Sequence, residues 1–196
     1  MTDDRPVLRL ALTIRHDGHG GVADDLTTAD ALTVWVAEHR AALGVEPFPA
    51  DDAALTAVRD LRAAVRALFA LAVRPGPASR ADTRPPMPAQ EAVARLNAAA
   101  AALPSAPRLE WPQGGAPAAS EVPSAAVSPP VRLTAALARD AIAFLAGPDR
   151  EKLRACQGPR CVRYFVKEHP RQEWCKPSCG NRARVARHHE RHRGTV

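Results

Sequence analysis

All four cysteines of this 196-residue chain lie in one short stretch near its C-terminus. They follow the pattern C-x4-C, thirteen residues, C-x3-C, and they are Cys156, Cys161, Cys175 and Cys179. Zn²⁺ prefers four soft or borderline ligands at tetrahedral corners, and two loops that each supply a cysteine pair meet that requirement. Because so short a segment has little core of its own, a metal would supply most of its stability. The pattern therefore predicts one structural zinc ion.

Two other interpretations of the cysteines stay open at this point, a redox-active dithiol and buried cysteines without a common role. The start of the chain, MTDDRPVLRL, has acids where a signal peptide has basic residues, and no apolar run approaches the length of a membrane span. We therefore expect a cytoplasmic protein without membrane segments, and metal ligands are commoner than disulfides in that reducing compartment. His169 could compete as a ligand, but four cysteines complete the site without it.

The residues around the cysteines have local preferences of their own. Gly158 and Pro159 favour a tight turn inside the first pair. Pro177 suits the first position of a helix, which places Cys179 in its first turn, where the helix dipole favours a thiolate. Three residues between the pairs alternate as in a strand: Val162, Tyr164 and Val166. Turn, hairpin and helix in this order predict a treble-clef-like zinc finger over residues 150–196.

The charge of the chain is divided unevenly. Residues 150–196 carry 13 Lys/Arg against 4 Asp/Glu, whereas residues 1–149 carry 14 against 17. Five side chains form the predicted basic surface of the last helix: Arg182, Arg184, Arg187, His188 and Arg191. Three others are predicted to face the zinc site: Val185, Ala186 and His189. Like charges one helical turn apart repel each other, so the basic surface indicates a polyanionic partner.

Nucleic acid is the partner that this surface favours. Duplex DNA is our first interpretation, because arginine makes bidentate contacts with phosphate and guanine. RNA stays open, since Tyr164, Phe165 and Trp174 could stack on bases, although a zinc knuckle would use them as its core. Further alternatives are an acidic protein partner, a membrane surface, and a solvated helix that only keeps the chain soluble.

Residues 1–149 are predicted to form a mainly helical domain. Aromatic residues make up only 4% of the chain and alanine is abundant, which suits packed helices better than stacked sheets. The apolar periodicity and the cap residues predict four helices, over 28–43, 51–73, 89–103 and 131–146. Residues 7–14 alternate loosely and are predicted as a first strand.

Prolines and glycines predict the connecting segments. The stretch HDGHGG (16–21) is expected to be a solvated loop, 74–88 a Pro-rich linker, and 104–130 an irregular region with a hairpin. The apolar stripes place these side chains in the core: Leu32, Trp35, Val36, Leu43, Leu55, Val58, Leu61, Val65, Leu68, Leu71, Val93, Leu96, Leu103, Leu133, Leu137, Ile142 and Leu145. Arg59, Arg62 and Arg66 lie opposite the stripe of the second helix and are predicted to be solvated.

The stretch WCKPSCGNRARVARHHERHR (174–193) resembles the signature of the CGNR zinc-finger family, whose four naming residues stand here at 179–182. The resemblance implies that Cys156, Cys161, Cys175 and Cys179 are the ligands. It also implies an upstream ABATE domain, described as a stress-induced transcription regulator, and DDLTTADALTVWVAEH is similar to the start of a helix in that domain. Lys176 departs from the serine that is common after the third cysteine, but no ligand is missing.

These observations leave two functions from different classes. One is a bacterial DNA-binding regulator whose helical body senses a signal or dimerises. The other is a zinc-stabilised module that docks an RNA or an acidic protein. We expect no enzyme, because no nucleophile–base set, phosphate-binding loop or paired carboxylates stand out. Self-association is left open by the sequence.

Overall fold

The computed structural model describes residues 5–84 and 87–193, which fold into a mainly helical body with three small strand pairs. The helices are α1 (Pro6–Leu12), α2 (Ala29–Leu43), α3 (Asp52–Ala72), α4 (Ala89–Ala101), α5 (Pro129–Ala146) and α6 (Pro177–Arg193). The antiparallel pairs are β1 (Ile14–His16) with β2 (Val22–Asp24), β3 (Ser105–Glu110) with β4 (Ala118–Pro123), and β5 (Leu153–Ala155) with β6 (Tyr164–Val166). The predicted fold class, a helical body with small hairpins and a C-terminal cysteine cluster, is confirmed.

The helix ends follow from their cap residues. Thr28 accepts a hydrogen bond from the Ala31 N–H at the start of α2, and Asp51 does the same for Ala54 at the start of α3. Gly44 ends α2 with a φ of 62°, a left-handed conformation that costs glycine little. Among the described residues, no helix is both long and apolar enough to cross a bilayer.

The core lies where α3 meets α1, α4 and α5. Most of the predicted apolar stripe is buried, but Leu71, Val93 and Ile142 remain 45%, 46% and 37% exposed and were wrongly placed in the core. Phe69 and Phe144, which the predicted apolar stripes did not include, are fully buried and pack with ring centroids 5.5 Å apart. These two rings fill the space between α3 and α5, and their separation lies in the range that aromatic pairs prefer.

The predicted first strand is wrong, because residues 7–12 belong to helix α1. Pro6 occupies the first helical turn, and the Val7 N–H donates to Asp140 Oδ2 at 2.8 Å, so a carboxylate from α5 caps α1. Val7, Leu8 and Leu10 are completely buried. A helix buried on so much of its surface shows no clear period of 3.6, which explains the error.

Two of the three arginines predicted to be solvated are buried instead. Arg62 is 5% exposed and donates to both Asp24 oxygens at 2.6 and 2.5 Å. Arg66 is 3% exposed and donates to Asp82 at 3.1 and 2.7 Å and to the Ala11 carbonyl at 2.7 Å. Their partners come from distant parts of the chain, so helical periodicity alone could not reveal them.

The carboxylate of Asp24 remains charged in this setting. Burial alone would raise its pKa, but hydrogen bonds from Arg62 and from the Leu26 N–H lower the pKa of Asp24 below its usual value. A carboxylate whose folded pKa is depressed stabilises the fold above its unfolded pKa, and this contribution is lost as the pH falls through the folded value.

The predicted Pro-rich linker, 74–88, is more ordered than expected. It contains a short 3-10 helix, Arg80–Asp82, whose start is capped by Ser79. Ser79 and Asp82 are 0% and 5% exposed, so this segment contributes to the interior. Residues 85 and 86 of that prediction lie outside the described part of the chain. Residues 79–82 are therefore packed against the body rather than part of a flexible tether.

The other two connections match their predictions. Residues 17–21 form the exposed turn between β1 and β2, where Asp17 Oδ1 accepts from the backbone N–H groups of His19 and Gly21. The region 104–130 contains the hairpin β3–β4, whose residues are almost all exposed, and Trp111 beside it is 69% exposed.

Replacing Arg66 by Met should lower the free energy of unfolding by about 3–5 kcal/mol, because it leaves the Asp82 carboxylate buried without its cation. Urea denaturation followed by circular dichroism measures the loss. Arg59→Met is the matched control: Arg59 is 48% exposed and sits 3.8 Å from Asp24, so its loss should cost less than about 1 kcal/mol. Equal effects of the two substitutions would contradict the structural role given to Arg66.

Candidate zinc centre and basic helix

The first cysteine pair lies on the turn between β5 and β6. The Cys156 N–H donates to the Arg163 carbonyl and the Cys161 N–H donates to the Gly158 carbonyl, both at 2.9 Å. Arg160 completes the turn with a φ of 64°. A Cβ on Gly158 would lie 2.8 Å from the Cys179 Cβ, so a glycine is needed where the two cysteine pairs meet.

The second pair lies at the start of α6. Pro177 is the first residue of the helix, as predicted, and the Cys179 N–H donates to the Lys176 carbonyl at 3.0 Å. A Cβ on Gly180 would lie 3.0 Å from Trp174 Cδ1, so the half-buried indole packs directly over this glycine. The close approach explains why glycine follows the fourth cysteine.

The four thiol groups converge on one point. All their Sγ atoms lie within 4.8 Å of one another, with 3.7 Å between Cys161 and Cys175 and 3.6 Å between Cys175 and Cys179. A tetrahedral zinc ion with Zn–S bonds of about 2.3 Å requires sulfur atoms about 3.8 Å apart, so the arrangement fits the ion. None of the four forms a disulfide. The cluster is a site for one structural zinc, as the sequence predicted.

The four thiol groups hydrogen-bond to one another unequally. Hydrogen bonds from the Cys161 and Cys175 thiols lower the pKa of Cys156 to about 2. Donation to Cys156 raises the pKa of Cys161 to about 11, and it raises the pKa of Cys175 as well. One thiolate is thus stabilised by its protonated neighbours. A bound zinc ion replaces those protons, so metal binding releases them.

Arg182 belongs to the surroundings of the metal centre rather than to the outer face of the helix. Its guanidinium donates to Cys179 Sγ at 3.1 Å, and its Nε is buried. A cation at this position offsets part of the negative charge of four thiolates around one divalent ion. Its predicted contact with nucleic acid stays a prediction, while the geometry gives Arg182 a partner at the metal centre.

The remaining predicted contacts do lie on the open surface of α6. Arg184, Arg187, His188 and Arg191 are all exposed. Arg184 also donates to the side-chain oxygen of Asn181, which is the third residue of the CGNR motif. These four side chains form one exposed row, the basic stripe.

The predicted inward face of α6 is partly wrong. Val185 is 55% exposed and His189 is also exposed, while Ala186 is half-buried. Ala183, 7% exposed, is the side chain after Cys179 that packs inward. Only the first turns of α6 contact the cluster, and the later turns extend beyond it, so the predicted inward face does not continue along the whole helix.

Two aromatic residues of the finger are buried, as a knuckle core requires, and Trp174 is half-buried. Tyr164 and Phe165 are 1% and 3% exposed, and Phe165 packs against the cysteine cluster. His169 is exposed and its Nδ1 accepts from the Arg171 N–H at 3.1 Å, so it lies outside the metal centre.

The strand pair of the finger is joined to the helical body through polar and apolar contacts. Tyr164 packs edge-on against Phe69 with ring centroids 5.4 Å apart, and the Arg66 guanidinium lies 5.2 Å from the Tyr164 ring. The Val162 carbonyl accepts from Ser79 Oγ at 2.9 Å and from Arg66 at 3.3 Å. One side of β6 therefore faces the body and the other faces the metal.

Comparison with known families agrees with this division of the chain. Residues 4–148 match the ABATE family, described as "Putative stress-induced transcription regulator". Residues 152–192 match the CGNR zinc finger. The chain belongs to the ABATE family. No curated protein matches it. The resemblance drawn from the CGNR motif is thereby confirmed for both segments, and the cluster described above is the metal site of the CGNR finger.

Zinc analysis should find one ion per chain in this ABATE-family protein. Cys156→Ser and Cys179→Ser should each lose it, because three thiolates bind zinc less tightly than four. Ser178→Ala, an exposed neighbour on the same helical turn, is the control and should keep the ion.

The same cysteine variants should also melt at a lower temperature, since Leu153, Tyr164 and Val166 belong to the core of the body. Differential scanning calorimetry of the full chain measures the shift. An unchanged melting temperature in a zinc-free variant would show that the finger is energetically separate.

Arg182→Gln should weaken zinc binding by roughly 10–100-fold, the usual effect of removing a hydrogen-bonding neighbour of a metal ligand. Competition with a chromophoric chelator measures the affinity. Arg184→Gln removes the same charge two residues further along the helix and should leave zinc affinity unchanged. If both variants lose a similar amount of zinc affinity, the loss comes from the removed positive charge and not from the hydrogen bond to Cys179.

Proposed function

We propose that this protein is a DNA-binding transcription regulator in which the zinc centre holds a basic helix in place. The observation that carries the proposal is the basic stripe: Arg184, Arg187, His188 and Arg191 are exposed on a helix whose first turn contains a metal ligand. The description of the ABATE family, "Putative stress-induced transcription regulator", supports it. We assign the protein a binding role rather than a catalytic one, and a cytoplasmic location at the nucleoid.

The local charge favours a polyanion. Residues 150–196 have an excess of 13 − 4 = 9 positive charges, and a zinc ion with four thiolates contributes −2, which leaves about +7. Glu190 is the only acidic residue in the sequence of α6. Because the arginines of the stripe repel one another, phosphates that neutralise them would also stabilise the helix.

The size of the outer part of α6 suits the major groove of a DNA duplex. Residues 184–193 extend beyond the metal cluster over about 15 Å, at 1.5 Å per helical residue. The major groove of B-DNA is about 12 Å wide and admits one helix. Arginines on the outer turns of α6 would then contact phosphates, while the metal end of the helix stays outside the groove.

The burial of the aromatic side chains favours duplex DNA over single-stranded RNA. Tyr164 and Phe165, the rings that could have stacked on unpaired bases, are 1% and 3% exposed. Trp174 is half-buried and covers Gly180. The helix therefore offers charge and hydrogen-bond donors rather than a stacking platform.

The salt dependence of binding to a random-sequence DNA duplex tests the proposal. The slope of log K against log salt becomes shallower by about 0.9 for each phosphate that the protein no longer neutralises. The triple variant Arg184→Gln/Arg187→Gln/Arg191→Gln should therefore have a slope smaller by about 2.7 and should bind much more weakly. Fluorescence anisotropy over a salt series gives both values.

The control is Arg40→Gln/Arg80→Gln/Arg108→Gln, which removes the same charge from three exposed positions of the body. It should bind DNA nearly as the unmodified protein does. If both triple variants bind DNA equally weakly, the net charge of the protein, and not the basic stripe, determines its DNA affinity. If the zinc-loaded protein binds no DNA at low salt, the proposal fails, and an acidic protein becomes the partner to seek.

A further inference from the structure

Two histidines on α6 lie next to each other, away from the cysteine cluster. His188 and His192 are one helical turn apart, their Nε2 atoms are 3.1 Å apart, and their ring centroids are separated by 4.3 Å. Both side chains are exposed. Their spacing of four residues places both rings on one face of the helix.

The distance between the two Nε2 atoms matches the distance expected between two nitrogen ligands of one metal ion. A divalent ion binds imidazole nitrogen at about 2.0–2.1 Å, so two such ligands at angles between 90° and 109° lie about 2.9–3.4 Å apart. The spacing i, i+4 is also that of the two histidines in the helical zinc motif H-E-x-x-H. The pair on α6 therefore has the separation and the sequence spacing of two metal ligands.

We propose that His188 and His192 form a second, solvent-accessible metal site for a divalent transition-metal ion of the nickel, copper or zinc class. Imidazole nitrogen suits these ions, and water completes the coordination. Each ring would bind through Nε2 and keep its proton on Nδ1. The ion thus replaces the hydrogen bond that now joins the two rings.

The neighbouring side chains set the strength of this site. Arg184 and Arg191 are one turn from His188 in the helix, and they repel a divalent cation. Glu190 lies on a different part of the helical circumference. The site is therefore weaker than the four-cysteine centre and fills only after zinc has occupied that centre. It does not depend on DNA binding.

Nickel binding to the zinc-loaded protein tests the proposal. Isothermal titration calorimetry at pH 7.5, with zinc content measured before and after, should show nickel bound by the unmodified chain. His188→Asn and His192→Asn should each weaken this binding by about tenfold or more, because a single imidazole is left.

The matched control is His189→Asn, which removes the histidine next to the pair. Its ring is 6.0 Å from the His188 ring at an angle of 86°. Nickel binding unchanged in this variant supports the assignment. No nickel binding at 1 mM free ion, or equal binding in His192→Asn and His189→Asn, would overturn it. Nickel binding that is accompanied by release of zinc would overturn it as well, because the nickel would then occupy the cysteine centre.

Discussion

The contact between Arg66 of α3 and the turn before β6 is the interaction on which the arrangement of the protein depends. Arg66 is buried and bound to Asp82, and its guanidinium also reaches the Val162 carbonyl at 3.3 Å and the face of Tyr164. The N–H donors of a guanidinium lie in one plane. A buried guanidinium that is bonded to several acceptors therefore fixes the orientation of those acceptors relative to one another. It therefore fixes the zinc finger against the helical body in one orientation.

This connection explains why the finger needs no large core of its own. β5 and β6 contribute Leu153, Tyr164 and Val166 to the core of the body, while Phe165 on the opposite side packs against the cysteines. The alternating directions of neighbouring strand residues make this possible with three residues. β5 and β6 therefore contact both the core of the body and the metal centre, and the first turn of α6 carries the fourth cysteine.

The metal centre could be predicted from the sequence because the residues that form it lie close together in the chain. Cysteine spacing, Pro177 and the CGNR motif all lie within one short stretch, and the structure brings the four cysteines together as expected. The buried arginines could not be predicted in this way. Arg66 finds Asp82 and Val162 at separations of 16 and 96 residues, and no periodic pattern contains such pairings. Helix α1 was missed for a related reason, since it is buried on several sides.

The arginines of this chain show that position, rather than residue type, decides the role of a charge. Arg66 stabilises the interior, and Arg182 donates to Cys179 Sγ at the metal centre. Arg184, only two residues later, is exposed. A turn of 100° per residue rotates Arg184 away from the side of Arg182 and so separates these environments. The inward face predicted for the whole helix is wrong at its outer turns because they extend beyond the cluster. The outer turns can present their charge to an anion because the inner turn is held by the metal.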